Sequence, residues 1–198
     1  MDNSVGAVRC FIAIHLPSSV LAELASLEEK LKAGRHPFVK WVDPGSLHLT
    51  LKFLGNAAAD SIPEITLAMR RAAGPHSPFH LQLAGTGAFP NWQRPQVMWA
   101  GVGGDLDRLE ALQKDVEAVV SPLGFPTEPR PWSAHLTLGR LRDRAGGDDR
   151  RRFAQFAQGV GWKTPLSFEV DAISLIRSQL TPAGPIYTDL AAAPLTAV

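Results

Sequence analysis

The chain has 198 residues, 45% hydrophobic and 20% charged, which is ordinary for a globular protein and enough for one sizeable domain or two small lobes sharing a core. Twenty Lys and Arg against 19 Asp and Glu leave no broad basic footprint for a long polyanion, so any nucleic acid is expected to be held locally, at one phosphate or one end. The single cysteine, Cys10, excludes an internal disulfide; Met1 to Gly6 lack a signal-peptide pattern, and no apolar run approaches the ~20 residues of a membrane span, so the cytoplasm is the expected compartment.

Arg9 to Leu16 is an apolar run, read as a buried strand ended by Pro17. Ser18 or Ser19 is placed to cap a helix running to about Lys32, with Val20, Leu21, Leu24, Leu27 and Leu31 at helical spacing. Lys40 to Val42 is a short extended piece. After the turn at Asp43-Pro44-Gly45, a strand runs over 47–54 and stops at Gly55. A second helix is expected over 61–73, with Pro63 tolerated in its first turn. Residues 79–83 and 96–102 look like a strand pair, separated by a loop rich in Gly, Pro and Trp over 85–95. Asp105 opens a helix with Leu106, Leu109, Leu112, Val116 and Val119 on one face, ended by Gly124. Pro126, Pro129 and Pro131 lead to a strand over 134–141. A charged loop over 142–152 then enters a helix at 153–158, and strands follow over 166–176 and 185–190. Strand–helix–strand order recurs in both halves. It predicts one α+β domain over 1–198, built of two lobes with mostly antiparallel sheets and a cleft between them.

One tetrapeptide stands out: His48-Leu49-Thr50-Leu51 returns as His135-Leu136-Thr137-Leu138. A strand sends successive side chains to opposite faces, so each histidine shares a face with its threonine while both leucines point into a core. An imidazole titrates near pH ~6.5, so two of them can supply a base and an acid in one step. The threonine hydroxyls can donate to anionic oxygens without a charge of their own to desolvate. The set suits in-line attack on a phosphodiester: one histidine takes a proton from the nucleophile and the other gives one to the leaving oxygen. Acyl transfer fits less well, since no Gly-x-Ser-x-Gly elbow is present. Zinc fits poorly too, because neither repeat has a second His or a Cys at ligand spacing and His15, His36, His76 and His80 are scattered. No metal and no cofactor are expected.

Further motifs accompany the repeats. They are Arg9-Cys10-Phe11-Ile12-Ala13; Trp41-Val42 ahead of the first repeat, which continues as Lys52-Phe53-Leu54-Gly55; Gly87-Ala88-Phe89-Pro90; Arg94-Pro95-Gln96-Val97-Met98-Trp99-Ala100-Gly101; Leu123-Gly124-Phe125; and Arg130-Pro131-Trp132-Ser133-Ala134 running through the second repeat to Gly139-Arg140. Ser178 and Tyr187 follow late in the chain. With them the chain resembles, over nearly its whole length, the two-histidine phosphoesterase superfamily, specifically the RNA 2′,3′-cyclic phosphodiesterases also called 2′-5′ RNA ligases. The resemblance implies a bilobal fold with pseudo-twofold symmetry. It also implies a metal-independent opening of a 2′,3′-cyclic phosphate, on an RNA 3′ end or a small nucleotide, to the 2′-phosphomonoester, with His48 as acid at the 3′ oxygen and His135 as base on water. Two positions depart from the family pattern, Ala134 where proline is usual and Trp132 where phenylalanine is usual. They bear on base stacking and substrate preference and remove no catalytic group.

The substrate-binding candidates are Thr50 and Thr137, then Lys52, Arg130, Phe11 and Trp132. Lys52 shares the face of His48 and Thr50 under strict alternation and is placed to neutralise phosphate. Arg130 matches the family's arginine ahead of the second strand. Phe11 and Trp132 are placed to stack a base, though core packing is the commoner fate of the former. Arg140 falls on the leucine face, where a structural ion pair is expected, and Arg150 to Arg152 read as a solvated helix start. Two rivals remain: ligation, in which a 5′-hydroxyl of paired RNA ends replaces water, and a non-catalytic module that binds RNA ends. No membrane or obligate protein partner is expected, and the chain reads as a monomer.

Overall fold

Every leucine of the two repeats points into one shared interior. In the computed structural model, which describes residues 6–129, 131–162, 166–182 and 184–197, Leu49, Leu51, Leu136 and Leu138 are at most 1% exposed and belong to one continuous buried cluster. Two antiparallel sheets enclose it. The first has the order β3 (His48–Ala58), β1 (Ala7–His15), β8 (Ala172–Thr181), β9 (Gly184–Pro194). The second has the order β2 (Val39–Trp41), β6 (His135–Leu141), β5 (Val97–Gly104), β4 (Phe79–Phe89), β7 (Ser167–Val170). Each sheet owns one repeat strand, and Cα atoms of β3 and β6 approach within 8 Å of each other.

The helices cover the sheets with their apolar stripes. α1 (Ser18–Lys32) buries Val20, Leu24, Leu27 and Leu31; α2 (Ile62–Ala73) buries Ile65, Ala68, Met69 and Ala72; α3 (Leu106–Val120) buries Leu109, Leu112, Val116 and Val120. A fully buried side chain of this size contributes about 1.5–3 kcal/mol, so these stripes fasten the helices to the sheets. No helix among the described residues is long and apolar enough to cross a membrane.

Four expectations shift. Pro17, not a serine, occupies the N-cap of α1, and its carbonyl accepts from Leu21 N at 3.0 Å. β4 runs on to Phe89 through residues expected as a loop: Gly85, at φ +48, sits at an irregularity between Ala84 and Thr86, and Gly87 serves packing rather than turning. A Cβ on Gly87 would lie 2.1 Å from Cζ2 of Trp99, so the missing side chain is the space that indole occupies. α4 (Gly147–Gln158) begins well before Phe153, its start held by Asp149 Oδ2 accepting from Gly146 N at 3.2 Å. The expected strand over 166–176 is two strands parted at Asp171, β7 pairing with β4 and β8 with β1, so the chain passes there from one sheet to the other.

The register of the repeat strands carries the main finding. Thr50 lies opposite Ala13 but Lys52 lies opposite Ile12, leaving Leu51 as an extra residue in β3. Thr137 lies opposite Trp99 but Gly139 lies opposite Met98, leaving Leu138 as an extra residue in β6. The same bulge thus follows the threonine in both strands and inverts the alternation beyond it. Burial repeats in step: from His48 and from His135, the seven residues run half-buried, buried, half-buried, buried, buried, exposed, buried. Together with the matching sheets, this is the expected pseudo-twofold relation.

Candidate active site

His48 and His135 are oriented in the same way. His48 Nδ1 lies 2.9 Å from Ser46 O, and His135 Nδ1 lies 2.8 Å from Ser133 O. A carbonyl only accepts, so Nδ1 carries the hydrogen and each Nε2 is left for a second partner. The sequence signal was available: the repeat extends two residues upstream, as Ser-x-His-Leu-Thr-Leu. Thr50 and Thr137 share the faces of their histidines and are likewise half-buried.

The surroundings of the two rings differ. Phe11 stacks on His48 at 4.5 Å between centroids, and the Tyr187 ring meets it edge-on at 5.1 Å. Burial makes His48 harder to charge; the Ser46 carbonyl pulls the other way, and the charge of His15 adds to the lowering. Among the described residues the one aromatic ring against His135 is Phe89, perpendicular to it at 4.9 Å. Phe11 is thus present on the cleft side but buried beneath the histidine, as a support for the imidazole rather than an open platform. Burial pushes the Tyr187 hydroxyl above its ordinary pKa, while the charges of Arg9 and Arg140 pull it down. The approach of β3 and β6, with Cα atoms within 8 Å, sets the two repeat strands beside each other.

The bulges correct two readings. Lys52 leaves the face of His48 and Thr50: its side chain, only 2% exposed, turns inward to Glu117 Oε1 at 2.8 Å and Pro126 O at 2.6 Å. Arg140 moves the opposite way, from the leucine face to the cleft side, where it is exposed and in no ion pair among the described residues. Phe53, its counterpart on β3, is 60% exposed on the same face as Phe11, with ring centroids 6.0 Å apart. Strict alternation therefore misassigned Lys52 and missed Phe53 and Arg140. Trp132 does not stand free; its Nε1 donates to Thr50 O at 3.2 Å and ties the approach to β6 onto β3. Arg130 lies outside the described residues. Arg150 serves structure, donating to the carbonyls of Ala145 and Pro95, and Arg151 and Arg152 pair with Asp148 and Asp149. Among the described residues, no three His, Cys, Asp or Glu side chains cluster as metal ligands would.

A pair of His-x-Thr strands, one from each of two matched antiparallel sheets, is the arrangement of the two-histidine phosphoesterases. Residues 16–182 match the 2′-5′ RNA ligase superfamily, and the chain belongs to that family. An RNA 2′,3′-cyclic phosphodiesterase of Methanothermobacter thermautotrophicus is 33% identical over 183 residues, covering 92% of this chain and 96% of that protein. Among solved structures, TT0787 of Thermus thermophilus superposes with a TM-score of 0.76 at 31% identity, over 96% of this chain and 98% of that one. LigT of E. coli in complex with 3′-AMP superposes with a TM-score of 0.66 at 25% identity, over 96% and 99%.

Proposed function

We propose that this chain hydrolyses the 2′,3′-cyclic phosphate of RNA 3′ ends or nucleotides to the 2′-phosphomonoester by paired histidine catalysis. The observation that carries the reading is the matched tethering of both Nδ1 atoms to backbone carbonyls, which leaves each Nε2 for a second partner. His135 takes a proton from water as the water oxygen bonds to phosphorus. The bond from phosphorus to the 3′ oxygen breaks, and His48 gives its proton to that oxygen. A ring that burial makes reluctant to hold a proton passes it on more readily, which suits the acid, at the cost of being charged less often near neutrality. Thr50, Thr137 and Arg140, which is in no ion pair among the described residues, are suited to the phosphate oxygens, and the exposed face of Phe53 to the base. The curated relative acts on cyclic phosphate ends by its name, and LigT has been captured with a ribonucleotide, both in keeping with this substrate class. No step as written uses a metal.

The test is a short RNA ending in a 2′,3′-cyclic phosphate, incubated in EDTA, with 2′- and 3′-phosphate products resolved. The 2′-phosphate is expected; an intact substrate, or turnover that stops in EDTA, sinks the proposal. The family's description as ligases supports a second reaction, in which a 5′-hydroxyl replaces water. A joined product from paired tRNA halves is its signature.

A further inference from the structure

Two strands with the same motif must do different work if one imidazole gives a proton and the other takes one. The residue directly opposite each catalytic histidine supplies a difference: His15 stands across from His48, and Gly101, with no side chain, stands across from His135. His15 does not stand alone. Its Nε2 donates to Asp189 Oδ1 at 2.9 Å, from β1 to a carboxylate on β9, with the side chains 54% and 59% exposed. Residues facing each other in an antiparallel ladder have Cα atoms about 4.5–5.5 Å apart and side chains on one face, so this pair borders His48.

We propose that His15 and Asp189 form a positioning pair for His48, in which the carboxylate balances the second imidazole so that the first can hold its proton beside the phosphate. This rests on the reading of His48 as a proton-transferring group. The other charged or titratable groups on the strands around His48 are Arg9 and Cys10 on β1, Lys52 on β3, Arg177 on β8, Tyr187 on β9, and His135 and Arg140 on β6; of these Cys10 and Lys52 are buried in the interior. Of all these, only His15 acts on His48 through its charge, in the direction that opposes protonation. Asp189, hydrogen-bonded to His15, is the carboxylate placed to offset this effect. His135 faces Gly101 and has no such partner among the described residues, so the pair separates two otherwise matched rings.

The test is a four-protein cycle: wild type, Asp189→Asn, His15→Asn and the double variant. Both sites are more than half exposed, so the fold is preserved. NMR titration of the His48 ring reads the effect without any substrate. A unit charge about 6 Å away through water-like screening moves a titration midpoint by about half a pH unit. Asp189→Asn should lower the His48 midpoint by up to that amount, and His15→Asn should raise it. The double variant should return to wild type. Four equal midpoints, or two single variants moving in the same direction, overturn the pairing. The pH profile of kcat/KM on a cyclic-phosphate RNA is the second readout. A limb that follows the NMR order ties the effect to turnover. If the midpoints follow the predicted order while neither limb moves, the pairing stands and the catalytic assignment of His48 fails.

Discussion

Lys52→Met separates the two meanings a lysine beside a catalytic motif can have. In the structure Lys52 is committed inward, with Glu117 Oε1 at 2.8 Å and Pro126 O at 2.6 Å, and Glu117 is itself only 12% exposed. Methionine keeps the apolar stem, so packing changes little and the loss is electrostatic. Removing one partner of a buried ion pair leaves the other charge uncompensated, at a cost of about 3–5 kcal/mol. For a chain of this length each kcal/mol moves Tm by about 2–4 °C, so a fall of roughly 6–20 °C is expected, with a matching loss in urea unfolding. Replacing both partners, as Lys52→Met with Glu117→Gln, should recover most of the loss, since no isolated charge remains. Below its lowered Tm the single variant should turn over a cyclic-phosphate RNA with kcat near wild type. A Lys52→Met protein that melts normally but has lost its activity would refute this account and return Lys52 to the substrate.

His48→Ala and His135→Ala should each lower kcat about 10²–10⁴-fold with unchanged far-UV circular dichroism; near-normal turnover in both ends the acid–base reading. Because burial lowers the pKa of His48, the alkaline limb of kcat/KM, which marks loss of the acid's proton, should fall below the ~6.5 of a free histidine, giving an optimum on the acid side of neutrality. A limb well above 7 contradicts His48 as the acid. Phe53→Ala should raise KM by the worth of one stacked base, about 1–3 kcal/mol or roughly 5- to 150-fold, with kcat little changed; an unchanged KM removes Phe53 from base recognition. His36, packed among Phe38, Phe153 and Phe156, is held neutral by burial, with the nearby Arg152 charge adding to the effect. Its folded pKa is depressed, so its contribution is present above the unfolded value near ~6.5 and is lost as pH falls through the folded one. The drop in Tm from pH 7 to pH 5 should be smaller in His36→Leu than in wild type, though not abolished, because His48 is depressed too.

The helices and strand faces were legible in the sequence wherever one period ran unbroken. Leu24, Leu27 and Leu31, or Leu109, Leu112 and Val116, are buried where their spacing put them. The repeat also led directly to His48, His135 and their threonines. What failed was the assumption that alternation continues past the threonine. An extra residue at Leu51 or Leu138 has no compositional mark, being the same leucine that an unbroken strand would bury. Its effect is nonetheless large, exchanging Lys52 for Phe53 and bringing Arg140 to the opening. The glycines of β4 misled for a related reason: Gly87 reads as a turn residue, while its role is to make room for an indole from the next strand. His15 and Asp189 are 174 positions apart and meet only through sheet order, which no local pattern reports.

Because the offset in each repeat strand comes directly after the threonine, the proposed proton carriers and the proposed gripping residues occupy one short stretch of chain yet can vary independently. On that reading, exchanging the side chain at 53 or at 140 would alter which base or anion is gripped and leave both histidines seated on their carbonyl tethers. Losing Leu51 or Leu138 would restore the even pleat without changing a face: Lys52 or Gly139 would take the inward place of the lost leucine, and Phe53 or Arg140 would stay on the side of the histidine and threonine, one residue nearer to them.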